Sequence, residues 1–313
     1  MDNSELILDE DLFSKLVDFL KSKGRSYNTV VNYSNTMRRF FKKYKVLNQK
    51  TLRSILKEIK HQNQRAVLSL IKNYCDYIGN GFTFVIPSVK QKHRKLPKLV
   101  TIEQVKIMIK SAPAPYDLML RCIFNMGSGL RISEAIKLSW NHIRWPDWIA
   151  DKNHYGIALI RSGKGDKDRV VNIPKNLMSD LYEYAKSKGV LNEFGIPVGN
   201  MIFKVGKLHK FKPELFASNR ERWKQEYIKQ ASDWFRYNII NKHCKKAIGL
   251  PKGEKFTVHH LRHVKSTYLY EVEKIPIERI QQLLGHSDIS TTLIYTKVNP
   301  ISTFDLIKDT EEV

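Results

Sequence analysis

One segment decides how many cores this chain can build. Residues 86–100 read IPSVKQKHRKLPKLV, with prolines at 87 and 97, a run of cations, no acid and no helical period. Proline removes an amide donor that a helix interior or central strand requires, and clustered cations repel one another. The segment is therefore read as a basic linker over 87–98, with one unit over 1–86 and a second over 99–313. A length of 313 residues suits two domains better than one.

The first unit shows helical spacing throughout. LFSKLVDFLKSK, SYNTVVNYSNTMRRFFKKY, TLRSILKEI and QRAVLSLIKNYCDYI each carry an apolar stripe at the period of an α-helix, which predicts a small helical bundle. Between Lys21 and Lys60 stand twelve Lys and Arg against one acid, Glu58. Solvation alone does not call for such a bias, and a phosphate-binding surface does. Arg38, Arg39, Lys42 and Lys43 in the bundle and Lys92, Arg94 and Lys95 in the linker are the candidate DNA contacts. The whole chain carries a net charge of +23, so an anionic partner is expected. No apolar run approaches the ~18 residues of a membrane span. The acidic start, MDNSELILDEDLF, is unlike a secretion signal. Cys75, Cys122 and Cys244 are scattered and lack metal-ligand spacing, which fits a reducing cytoplasm.

The second unit reads as mostly helical with one hairpin. TIEQVKIMIKSA starts on Thr101 as an N-cap, and YDLMLRCIFNMGSG is apolar on every face, as a buried helix is. YGIALIRSGKGDKDRVVNIP holds two β-rich runs around a Gly-rich turn, a hairpin pattern. Helices follow in ASDWFRYNIINKHCKKAIGLP, stopped by Gly249 and Pro251, in TVHHLRHVKSTYLYEV and in PIERIQQLLG. Residues 206–229 are basic and irregular and receive no assignment.

Several charged residues sit where packing alone would not put them. Arg131, in GSGLRISE, opens a helix after two glycines, where a cation opposes the helix dipole by roughly 0.3–1 kcal/mol. It pairs with Glu134 as an ordinary surface ion pair, or it forms a phosphate site with the helix N–H groups. Lys164 lies in the hairpin turn, either solvated or reaching into a cleft as a proton donor. HHLRH places His259 and Arg262 three apart, able to grip one anion. His259 and His263 are four apart, a metal-ligand spacing that lacks the glutamate zinc hydrolases carry at position 260. Tyr295 follows His286 by nine residues. On a helix starting at Asp288 it falls on the polar face, away from Ile289 and Leu293, where a core tyrosine would not be.

Taken in order, GLRISE, GKGDKDR, HHLR, LGH and Tyr295 resemble the tyrosine recombinase (lambda-type integrase) family. The resemblance implies an N-terminal helical core-binding (SAM-like) domain and an α+β catalytic domain, mainly α with a small β-sheet. Tyr295 is then the nucleophile that forms a 3′-phosphotyrosine, His259 its base and Lys164 the acid for the departing 5′-oxygen. Arg131, Arg262 and His286 stabilise the transition-state charge, and Glu134 and His263 support them. No metal, cofactor or ATP is implied. The partners are double-stranded DNA at specific recombination sites and, as a tetramer on two duplexes, further copies of the chain, with a tail over 301–308 docking in trans. Position 260, a second histidine, and the long basic stretch over 206–229 depart from the family pattern. The alternatives are a type IB topoisomerase and a DNA-binding protein without catalysis.

Overall fold

A computed structural model of the chain describes residues 6–7, 10–24, 27–59, 64, 67–68, 71, 100–161, 168–205, 220–251, 254 and 256–284. The chain divides into two compact units, Met1–Lys95 and Leu96–Val313.

In the first unit, α1 (Glu10–Ser22), α2 (Tyr27–Lys43) and α3 (Gln49–Glu58) surround one core. A two-residue strand β1 (Leu6–Ile7) pairs antiparallel with β2 (Val46–Leu47) beside it. The apolar stripes point inward as their spacing demands: Phe13, Leu16 and Leu20 meet Met37, Phe40, Leu52 and Ile55. Asn48 starts α3 reciprocally, its side chain accepting from the Thr51 amide at 2.9 Å while its own amide donates to Thr51 Oγ1 at 2.7 Å. The next predicted helix is described only at Gln64, Val67, Leu68 and Ile71, all helical, with the two leucine/valine positions and Ile71 joining the same core.

In the second unit, Thr101 caps α4 (Ile102–Ser111) by accepting from the Gln104 amide at 3.1 Å. Helix α5 (Tyr116–Asn125) is buried on nearly every face, through Leu118, Met119, Leu120, Cys122, Ile123 and Phe124, and it is the centre of the unit. The short α6 (Ile132–Lys137) and a 3-10 turn (Trp140–His142) follow. Then α7 (Trp145–Ala150) starts with Pro146 in its first turn. Strands β3 (Gly156–Ile160) and β4 (Arg169–Ile173) form the expected antiparallel hairpin, in register from Gly156 opposite Ile173 to Ile160 opposite Arg169. Helix α8 (Lys175–Ser187) packs on α5.

Residues 220–229, unassigned from sequence, begin α9 (Arg220–Phe235). This helix continues as a π-helical segment, Arg236–Cys244, and ends in one α-turn, Lys245–Ala247. Buried Tyr227, Ala231, Phe235 and Ile239 recur every four residues, Ile240 and Cys244 follow at five and nine residues from Phe235, and the wider π turn keeps that stripe facing the core. Helices α10 (Val258–Glu271), packed on α5, and α11 (Ile277–Leu284) complete the described fold. Among the described residues no helix is long and apolar enough to cross a membrane.

Candidate active site

The site forms where α5, β4 and α10 meet one glycine-bearing loop. After α5 the chain reverses through Gly127 (φ +56°) and Gly129 (φ +98°), conformations that side-chain-bearing residues rarely adopt. The Gly127 amide donates to Asn172 O on β4 at 2.9 Å, and the Leu130 amide returns to Ile123 O on α5 at 2.8 Å. A Cβ at Gly129 would lie 3.5 Å from both Cα and Cγ of Arg262, so the glycine lets α10 come close. Arg262, fully buried, donates from Nη1 to the Gly129 carbonyl. Two sequence-distant arginines, 131 and 262, are thereby brought to the same loop.

Arg131 is the N-cap of α6 and its side chain is mostly buried. Its amide donates to Glu134 Oε2 at 2.7 Å and its Nη1 to Glu134 Oε1 at 2.8 Å. One sequence expectation needs correction here. The Arg131–Glu134 pair is no surface ion pair, because the Glu134 side chain is 1% exposed. Glu134 thus takes up the N-cap amide of Arg131 as well as one nitrogen of its guanidinium.

Glu134 has a second partner that the sequence reading missed. Arg169, the first residue of β4, forks onto the same carboxylate, Nη1 to Oε1 at 2.6 Å and Nη2 to Oε2 at 2.8 Å. A signal for it exists in strand parity. Val171 and Ile173 are buried and Val170 and Asn172 exposed, so Arg169 belongs to the inward face, where a cation needs a partner. Burial pushes the Glu134 carboxyl up, but the hydrogen bonds and charge of Arg169, then of Arg131, win and hold it at about 2. It is ionised at neutral pH.

On α10, His259 is exposed while Arg262, three residues on, is buried. The His259 and His263 rings stand 4.7 Å apart, edge to face. Among the described residues no group of three His, Cys, Asp or Glu is placed to hold a metal ion. The second histidine, His260, turns out to serve the helix start. Its Nδ1 accepts from the Thr257 amide at 3.0 Å, and its ring stacks on Phe256 with centroids 5.1 Å apart. Burial lowers its pKa, which favours the neutral ring that an accepting Nδ1 requires. Lys265, one turn on, lies over the Phe124 and Tyr268 rings at 5.4 and 5.3 Å, and burial lowers its pKa too.

Lys164, His286 and Tyr295 lie outside the described residues, as do Lys92, Arg94 and Lys95. On α2, Arg38, Arg39, Lys42 and Lys43 are all exposed. Arg38 covers the Phe13 ring at 4.6 Å, and Lys43 is ion-paired with Glu58.

A model of the phage integrase family matches residues 92–301. The chain belongs to that family. Tyrosine recombinase XerA of Thermococcus kodakarensis is 34% identical over 66% of this chain and 60% of its own length. This chain thus matches less than two thirds of that relative. Tyrosine recombinase XerA of Pyrococcus horikoshii is 26% identical over 95% of this chain and 93% of its own length. Among solved structures, a lambda integrase dimer bound to a COC′ core site is similar with a TM-score of 0.61, at 16% identity, over 94% of this chain and 97% of that one. A transposon integrase in complex with transposon right end DNA gives a TM-score of 0.59 at 14% identity, over 95% and 97%. At such identities the likeness speaks for the fold: a mainly helical tyrosine recombinase architecture with a small antiparallel sheet.

Proposed function

We propose that this chain is a site-specific DNA recombinase that cuts and rejoins strands through a 3′-phosphotyrosine. The reading rests above all on Arg131 and Arg262, two permanent cations carried to one loop with their orientation set by Glu134 and by the Gly129 carbonyl. Such fixed donors suit a pentacoordinate phosphorus, whose non-bridging oxygens gain charge in the transition state. Family membership supports the remaining assignments. The Tyr295 oxygen bonds to phosphorus as the bond to the 5′-oxygen breaks. His259 takes the phenolic proton, Lys164 gives one to the departing 5′-oxygen, and His286 donates to the phosphate. The adduct keeps the energy of the broken ester, so religation needs no ATP. The guanidinium charges take the part a metal plays in other phosphoryl transfers.

The core-binding unit over 1–86 and the linker over 87–98 hold the duplex by backbone charge. Recombination joins two duplexes in a tetramer of the chain, acting in the cytoplasm where the DNA lies. Incubation with genomic fragments, denaturing capture of protein-linked DNA and sequencing test this reading. Wild type should yield adducts at defined sites, in EDTA as well as without it, and Tyr295→Phe should bind DNA yet yield none. An adduct in Tyr295→Phe, or attachment that EDTA removes and zinc restores, overturns the assignment. Release of relaxed plasmid by monomers without exchange between sites points instead to a topoisomerase.

A further inference from the structure

We infer that Arg169 is a positioning residue for strand cleavage: it saturates Glu134 so that Arg131 stays available to the phosphate. The inference rests on the strand-transfer reading above and concerns the same site.

A buried carboxylate offers about four acceptor positions. Here Oε1 accepts from Nη1 of Arg131 and Nη1 of Arg169, and Oε2 accepts from the Arg131 amide and Nη2 of Arg169. Arg169 fills half of the set with its fork. The Arg131 guanidinium uses a single nitrogen there, and a guanidinium has five N–H donors. Remove Arg169 and two acceptor positions on a carboxylate with 1% exposure are vacated. The nearest replacement donors are the remaining N–H groups of Arg131, already 2.8 Å away at Nη1. Turning them onto Glu134 withdraws them from the phosphate.

Charge points the same way. Two guanidiniums and one carboxylate sum to +2 − 1 = +1, whereas Arg131 with Glu134 alone sums to zero. The free positive charge of this cluster therefore depends on Arg169. Location adds a third reason. Arg169 pairs with Ile160 at the turn end of the hairpin, and the connection over 161–168 contains Lys164. One carboxylate thus ties the foot of that connection to the residue that begins α6.

The test uses the full chain and, as probe, a nicked duplex carrying a sequence recovered by covalent capture, so that the adduct accumulates. Arg169→Met and Arg169→Lys are compared with wild type for duplex affinity, single-turnover adduct rate and melting by tryptophan fluorescence. The expected result is an adduct rate lower by about tenfold or more for Arg169→Met, with affinity within about twofold, because a displaced donor affects the transition state more than binding. Arg169→Lys keeps the charge without the fork and should fall between. In a Glu134→Gln background Arg169→Met should cost almost nothing further, since both act through one contact. Folded Arg169→Met or Arg169→Lys reacting at the wild-type rate overturns the inference, as do losses that multiply in the double variant. A wild-type protein from which covalent capture recovers no DNA sequence refutes the recombinase reading instead.

Discussion

Glu134 is the residue whose removal the structure prices most clearly. It is buried between two guanidiniums and its carboxyl is held at about 2, against an ordinary 4.5. Because the folded value is the lower one, the unfolded chain takes up a proton first as the pH falls. The stabilisation is complete above about pH 4.5 and is lost as the pH drops towards 2. At about 1.4 kcal/mol per tenfold in proton affinity, the ion network contributes about 3 kcal/mol at neutral pH. Glu134→Gln removes that and leaves Arg131 and Arg169 partly buried with no counter-charge, so a loss of about 3–5 kcal/mol is expected. All five tryptophans lie in the second unit, which makes intrinsic fluorescence during urea unfolding a report on that unit alone. Stability of wild type and variant should differ by that amount at pH 7 and converge as the pH approaches 2. A gap below about 1 kcal/mol at pH 7, or one constant down to pH 3, would refute the reasoning, because both follow only if Glu134 is not the ionised hub.

Gly129→Ala places a Cβ 3.3 Å from Ile123 O and 3.5 Å from Arg262 at φ +98°, so it should destabilise by about 1–3 kcal/mol and abolish adduct formation. A variant normal in both melting and adduct yield would show that the close approach is unimportant. His260→Ala should lower stability by about 0.5–2 kcal/mol through the lost cap at Thr257 while the folded fraction still forms adduct. A large rate loss without destabilisation would move His260 into the chemistry. DNA affinity should fall steeply with salt, by about 0.9 in log K per neutralised phosphate for each unit of log salt, as gel-shift titrations measure. A flat dependence would assign the +23 charge to another partner.

Much of the fold was legible because its signals are local. Thr101 with Gln104 three residues on announces a helix start, and the even apolarity of residues 116–125 announces burial; both hold. The hairpin follows from its β-rich runs around a Gly-rich turn. Helices α7 and α8 were missed although each offered a cue, a proline in or just before the first turn. The π segment was hidden because its stripe fits neither the helical nor the strand period well. In the site, Arg131, Glu134 and Arg262 were singled out by type and order, but burial was not readable from type. The pairing of Glu134 with Arg169 spans 35 residues, a tertiary contact that no local period encodes. His260, a departure from the family pattern, is explained by a backbone amide, a partner that motif comparison does not consider.

The complete burial of Arg262 shifts where the work of dehydration is done. Its guanidinium sheds water when the protein folds, against the Gly129 carbonyl, and not when a duplex arrives. On the strand-transfer reading proposed above, a phosphate reaching this guanidinium meets a donor already stripped of water, which is the condition under which fixed dipoles outperform solvent. The same arrangement sets folding against turnover. A well-packed apolar side chain at 262 would spare the fold a buried charge and could leave the protein as sturdy as before, or sturdier. Selection for robustness alone would therefore tend to erase this arginine, and on the strand-transfer reading its presence is a stability–activity compromise settled in favour of activity.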